Sequence, residues 1–233
     1  MRTTWKVKCI TGAIAGGLAA LVVVPSAMAK NDVQFFSHAF HAPPTTAFCE
    51  ATFGINCYSA GQFERNYGTD DLYVRGITGA GQTIVIVDSF GSPTIKHDLA
   101  EYDTQNNLPA PPSFNIITPV GTPPPYNRDN ATMGGWALET SLDVEMAHTM
   151  APGANILLVE TPEAETEGII GFPGIEKAIK YVVDNGLGNV ISQSFGATEQ
   201  TFTGGAAQIK SLEYAYQDAA NNGVTSRERP RIV

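Results

Sequence analysis

Positive charge is scarce in this chain. Fourteen lysines and arginines stand against 23 aspartates and glutamates, for a formal net charge of −9. A chain so poor in cations is a weak binder of nucleic acid or of an anionic membrane, because it has little to set against phosphate charge. Cysteine is also rare, at three residues, Cys9, Cys49 and Cys57. No internal repeat is visible, which argues against a solenoid and for one domain. There is one long apolar run, Cys9 to Val24. It is too short and too abruptly ended to read as a membrane span.

That run has a different meaning. Arg2, Lys6 and Lys8 precede it, and Pro25-Ser26-Ala27-Met28-Ala29 supplies small residues where a signal peptidase cuts. Residues 1–29 are therefore expected to be a removable secretory signal, making the product extracellular or periplasmic. Loss of its three cations would take the formal charge from −9 to −12. Cys9 would leave with it. In an exported chain, Cys49 and Cys57 point to a disulfide rather than a metal site, which usually wants four ligands. They lie in a Pro/Thr-rich stretch, residues 30–61, that reads as a mobile leader. His38 or His41 adds little to a metal reading, and no metal or other cofactor is expected in this chain.

From about Gln62 the pattern becomes that of an α/β domain. Thr83-Ile-Val-Ile-Val87 is β-branched and continuously apolar, as in a strand buried on both faces of a parallel sheet. Asp88 ends it at the strand tip, where doubly wound sheets keep their chemistry. It could equally cap or turn the chain into a helix over 94–105. Residues 107–130 are a Pro/Asn-rich loop carrying a short apolar segment, Phe114–Thr118. Further strands are expected at 156–159 and from Asn189, and further helices at 172–185, with Ile175, Ala178, Ile179 and Val182 buried, and at 206–222.

The stretch of greatest interest is Trp136 to Val159. Leu138, Leu142, Met146 and Met150 give a helical period, and Pro152-Gly153 ends the helix before an apolar strand. Glu139 and Asp143 are four residues apart, which on a helix stacks two carboxyls on one face, roughly 6 Å apart along the axis. Glu145 points elsewhere. Two like charges so placed raise one another's pKa and tend to share a proton. Such a pair can act as a base in acid, where histidine is already protonated.

Glu139-x-x-Leu142-Asp143-x-Glu145 with Ala-Pro-Gly-Ala behind it, Gly76-Ile-Thr-Gly79-Ala-Gly81 leading into Asp88, and Asn189-Val-Ile-Ser-Gln-Ser194-Phe195-Gly196 together resemble the sedolisins. These are secreted serine-carboxyl peptidases built on a subtilisin-like fold. The resemblance runs from about Gln62 to about Thr225 and implies a mostly parallel, doubly wound subtilisin-like sheet. It implies Glu139 as general base, Asp143 as the acid orienting it, and Ser194, Phe195 and Gly196 as the edge along which an extended polypeptide substrate lies. Asp88 is a secondary candidate. Where subtilisins carry His-Gly-Thr-His, this helix offers glutamate. His148 is expected to be a helix-end residue, packed or solvated.

The resemblance also shows what is missing. The family generally has a long prosegment, for which 30–61 leaves no room. It carries an oxyanion aspartate in a Gly-Asp turn, then a nucleophilic serine in Gly-Thr-Ser-x-x-x-Pro, and neither motif occurs. Its calcium usually binds through that later part. Thr225-Ser226-x-x-x-Pro230 mimics the serine motif but lacks its glycine and follows the wrong helix. Three of the seven arginines fall within the last seven residues, so 226–233 reads as an aberrant tail with no strand period. The expectation is a C-terminally truncated, inactive peptidase domain over 62–225. A non-catalytic secreted peptide-binding domain is the alternative.

Overall fold

The computed structural model describes residues 43–165 and 170–227. The expected signal segment 1–29, the rest of the leader up to residue 42, residues 166–169 and the tail beyond residue 227 lie outside the described residues. Three short helices come first, α1 (Thr46–Phe53), α2 (Ala60–Tyr67) and α3 (Asp70–Val74). The Thr45 side chain accepts from the Phe48 N–H at the start of α1, and Gln62 Oε1 accepts from the Ser59 N–H at the start of α2, so these two helices begin on side-chain hydrogen bonds. Cys49, almost fully buried, is joined to Cys57. Ala60 donates its N–H to Asn106 Oδ1 at 3.1 Å. Residues 46–61 are thus helix and tethered turn rather than a loose leader, because caps and a covalent link organise what composition alone reads as mobile.

The sheet has five strands: β1 (Thr83–Ser89), β2 (Phe114–Ile117), β3 (Asn155–Thr161), β4 (Val190–Ser192) and β5 (Thr225–Arg227). Their order is β2-β3-β1-β4-β5 and every pairing is parallel. Strand β5 corrects the expectation of a break at 226: Ile191 pairs with Ser226 and Ser192 with Arg227. A three-residue strand needs only a ladder to lean on, and such a ladder leaves no period in the sequence.

Helices cover both faces. On one, Val85, Val87, Val159 and Ile191 pack under Ile175, Ala178, Ile179 and Val182 of α6 (Gly171–Asp184). Ala215 and Ala219 of α8 (Tyr214–Asn221), which follows α7 (Gly205–Ser211), close that side. On the other, Ile86, Ile156 and Leu158 meet Ile95 and Leu99 of α4 (Ile95–Asn106) and Val144 of α5 (Ala131–Met150). This is the doubly wound α/β arrangement expected of strands apolar on both faces.

Helix α5 forms as its period implies, but the residues that mark the period are not all on its buried face. Leu138 and Leu142 are 53% and 49% exposed, while Met133, Trp136, Thr140, Val144 and His148 form the buried stripe. Apolar and polar residues are spread around this helix without one dominant apolar stripe, so a 3.6-residue period fits more than one face and tertiary contact chooses.

Gly188, in the turn before β4, marks a close approach of backbone to β1. A Cβ there would overlap the Val85 side chain and lie 3.3 Å from the Thr83 carbonyl oxygen. Val85 is fully buried and cannot yield. Gly188→Ala is expected to destabilise the fold by about 1–3 kcal/mol, the usual cost of overpacking, measurable by chemical denaturation.

Candidate active site

The site forms where β1 ends against α5. Alternation along β1 and β3 places Ile84 and Ile86, with Ile156 and Leu158, on the α5 side of the sheet. Asp88 and its register partner Glu160 continue those two rows at the C-terminal tips. Asp88 is 1% exposed. Its neighbours are Asp143, Thr140 and Glu139, all on α5. Asn130 caps that helix by accepting from the Thr132 and Met133 N–H groups, which fixes where its first turn begins.

Glu139 and Asp143 are half-buried, one turn apart, on the side of α5 that meets the tip of β1. The segment after β4 reaches the same place: Ser194 Oγ donates to Asp143 Oδ1 at 2.9 Å. Three parts of the chain, near 88, 139–143 and 194, therefore converge. Phe195 turns inward and packs edge-to-face on Phe172, with ring centroids 5.7 Å apart. Ser194 and Gly196 remain exposed, and a Cβ added at Gly196 would meet nothing within 4 Å.

Charge is crowded here. Burial pushes Asp88 well above the usual carboxylate range, and the Asp143 and Glu139 charges push the same way, while the Thr140 hydroxyl alongside offsets part of the rise. Glu139 is raised by burial, then by Asp143 and Glu165. Asp143 is raised by burial, with the Ser194 hydroxyl and Asp88 holding it down. Neither oxygen of Asp88, nor Asp143 Oδ2, meets a hydrogen-bond donor. Carboxylates are acceptors only, so a proton on one of them supplies the donor both lack. The directions put that proton on Asp88, with Asp143 accepting. Asp88 is therefore a buried member of the carboxyl cluster and not merely a turn residue.

Two acids outside this group were not legible as environments. Glu160 is pushed up to about 7 by burial. Its carboxyl fills the space a side chain at Gly91 would need, where the backbone has φ +71°. Counting alternate residues back along β3 would have put it on the Asp88 face. Glu145 leaves the site and faces α4, as its place on the helix implied; burial and the Asp98 and Asp103 charges push it up to about 8. His148 is fully buried, its Nε2 2.7 Å from the Pro109 carbonyl oxygen, and takes no part in this cluster. Among the described residues no three His, Cys, Asp or Glu side chains are grouped so as to hold a metal ion. No helix among them is long and apolar enough to cross a membrane.

Comparison with known proteins bears on the fold that carries this site. No family model matches the chain. Kumamolisin from Bacillus sp. (strain MN-32) is 28% identical over 155 residues, covering 66% of this chain and 26% of kumamolisin. Among solved structures, Pseudomonas sedolisin, a serine-carboxyl proteinase complexed with two molecules of pseudo-iodotyrostatin, matches with a TM-score of 0.50 at 21% identity, over 64% of this chain and 38% of its own. The chain thus spans about a quarter of the length of its curated relative. It carries a sedolisin-like domain of subtilisin fold and is related in sequence to a peptidase of that kind.

Proposed function

We propose that this domain is the proton-handling half of a secreted, acid-acting serine endopeptidase. The observation that carries the reading is the half-buried Glu139/Asp143 pair, one helical turn apart and tied through the 2.9 Å Ser194–Asp143 hydrogen bond to the segment on which a substrate would lie. In the reaction, Glu139 takes the proton from a serine hydroxyl as that oxygen attacks the scissile carbonyl, and returns it to the departing amine. Its raised pKa suits both steps, because the carboxylate is then a better base and its acid form still a competent donor. Asp143 orients Glu139, and Asp88 holds a proton against Asp143, so that negative charge at the site can rise and fall without a full extra charge being buried.

The exposed backbone around Ser194 and Gly196 is suited to an extended polypeptide laid beside it as an added strand. Export is supported by the signal-like residues 1–29 and by the Cys49–Cys57 disulfide, which belongs to oxidising compartments. No cofactor is assigned to these 233 residues; a calcium ion would be held, as in the family, by a later part of the fold.

The nucleophile and the oxyanion donor are not supplied by the residues that make this cluster. The 233-residue polypeptide by itself is therefore expected to give no turnover of a fluorogenic peptide in acid, at about pH 3–5 where carboxylates serve as bases. Turnover abolished by Glu139→Gln would overturn that expectation and locate the nucleophile within this chain. A second reading, a peptide-binding domain without chemistry, is favoured by the same exposed Ser194–Gly196 segment. It predicts saturable binding of extended peptides that Glu139→Gln leaves unchanged.

A further inference from the structure

Strand β4 ends at Ser192, which pairs with Ile86 on one side and Arg227 on the other. Both ladders stop there, so the rotation of the next three residues about the chain has to be set by side chains. Alternation carries on past the ladder. Ile191, Gln193 and Phe195 face the α6/α8 side of the sheet, and Ser194 faces α5. Phe195 is held by the Phe172 ring. Gln193 is the unusual member of its row: it is 5% exposed, on a face otherwise lined by Val85, Val87 and Ile191. A primary amide buried in such a place costs stability unless its polar atoms are paired. Its Oε1 accepts from the Tyr216 hydroxyl of α8 at 3.1 Å, and its Nε2 makes a long hydrogen bond, 3.5 Å, to Ser226 Oγ of β5. These partners come from two different elements, and the Tyr216 ring packs against the same core. The amide is therefore gripped between fixed points.

We propose that Gln193 is a positioning residue: held by Tyr216 and Ser226, it fixes the rotation of the segment leaving β4 so that the Ser194 hydroxyl points at Asp143. Apolar burial is non-directional and would leave that segment free to turn, whereas two directed bonds to one planar amide do not. Ser194 is exposed and has water to bond to; that its hydroxyl instead meets Asp143 at 2.9 Å is a matter of placement. Asp143 faces Asp88 at the tip of β1 and Glu139 on its own helix, with Glu165 acting on Glu139. Burial raises Asp143, and the Ser194 hydroxyl holds it down. As a contribution to catalysis the role of Gln193 rests on the peptidase reading; the placement of Ser194 does not.

Carbon-13 NMR titration of the aspartate carboxyls in the full chain, with the Asp143 signal assigned by Asp143→Asn, tests this. Ser194→Ala removes the donor and should raise the apparent midpoint of Asp143 in its shared titration with Asp88. Gln193→Met keeps the length of the side chain and loses both bonds. It should raise the midpoint by the same amount, and the double variant should raise it no further. A merely structural role for Gln193 would lower the melting temperature and leave that midpoint in place. Tyr216→Phe removes a single hydroxyl and should shift the midpoint the same way, which decides the matter if Gln193→Met does not fold. The proposal is overturned by a parental midpoint in the folded Gln193 variant, or in Tyr216→Phe where that one decides. A Gln193→Met shift that adds fully to that of Ser194→Ala, or a Ser194→Ala protein that titrates like the parent, overturns it too. Loss of the base role from Glu139 would instead remove the peptidase reading and leave this result standing.

Discussion

Glu145→Gln is expected to stabilise the protein by about 4 kcal/mol at pH 8 and to change it little at pH 4. Glu145 lies on the side of α5 that faces α4, and burial, then Asp98 and Asp103, raise it from 4.5 to about 8. A carboxyl raised on folding favours the folded state while it stays protonated. Its contribution is complete below the unfolded value and is lost as pH climbs through the folded one. At about 1.36 kcal/mol per pKa unit, most of a shift from 4.5 to about 8 has been spent by pH 8. Glutamine keeps the shape of the protonated acid and never ionises, so it restores that loss.

The other buried acids work with the same sign. Glu160, raised to about 7, is more open to solvent and contributes a screened share, while Asp88, Asp143, Glu139 and Asp103 are raised as well. The parent protein should therefore be most stable in acid and weaken steadily from about pH 4.5 to 8. Thermal melts at pH 4, 6 and 8 decide it. For a domain of this size a change of about 4 kcal/mol moves the midpoint by roughly 8–16 °C. Equal melting temperatures at pH 4 and 8, together with a silent Glu145→Gln, would mean that Glu145 is not held away from water.

In a chimera where the 155 matched residues replace their counterpart in kumamolisin, Glu139→Gln is expected to lower kcat by about 10²–10⁴ with KM nearly unchanged. The matched residues bring the carboxyl pair, and the recipient brings whatever nucleophile its own remainder holds. Glutamine matches glutamate in size and still accepts hydrogen bonds, so substrate placement is spared. On the proposed mechanism, what it cannot do is receive the serine proton, an interaction made only in the transition state, and such losses appear in kcat rather than in KM. Asp143→Asn should act in the same direction, since base and orienting acid work as a unit. A folded, active chimera whose kcat ignores Glu139→Gln would remove the base role from this residue.

Parts of this were legible in the residue order. Thr83–Val87 announced a buried parallel strand because β-branched residues with no polar alternation fit nothing else at that length. Ile175, Ala178, Ile179 and Val182 named the buried side of α6 correctly because the opposite side of that helix is polar, and the period has one solution. In α5 the residues that carry the helical period include Leu138 and Leu142, which are exposed, while Thr140 and His148 are buried. There polarity misled, since a histidine whose Nε2 donates to the Pro109 carbonyl oxygen is acceptable inside, and a threonine is small enough to be buried against the tip of β1. Asp88 was ambiguous for a different reason: a strand-ending aspartate looks the same whether it caps a turn or faces another acid.

The residue order by itself determined the strand and helix alternation, and the four-residue interval that stacks Glu139 above Asp143. Both are consequences of backbone geometry within a few residues. Tertiary structure alone decided that Asp88 and Ser194, 55 residues before and 51 after, meet Asp143, and that Glu145 and Glu160 hold protons near neutrality. Desolvation and charge repulsion depend on what packs around a carboxyl, and that is set by register, helix rotation and burial across the whole sheet.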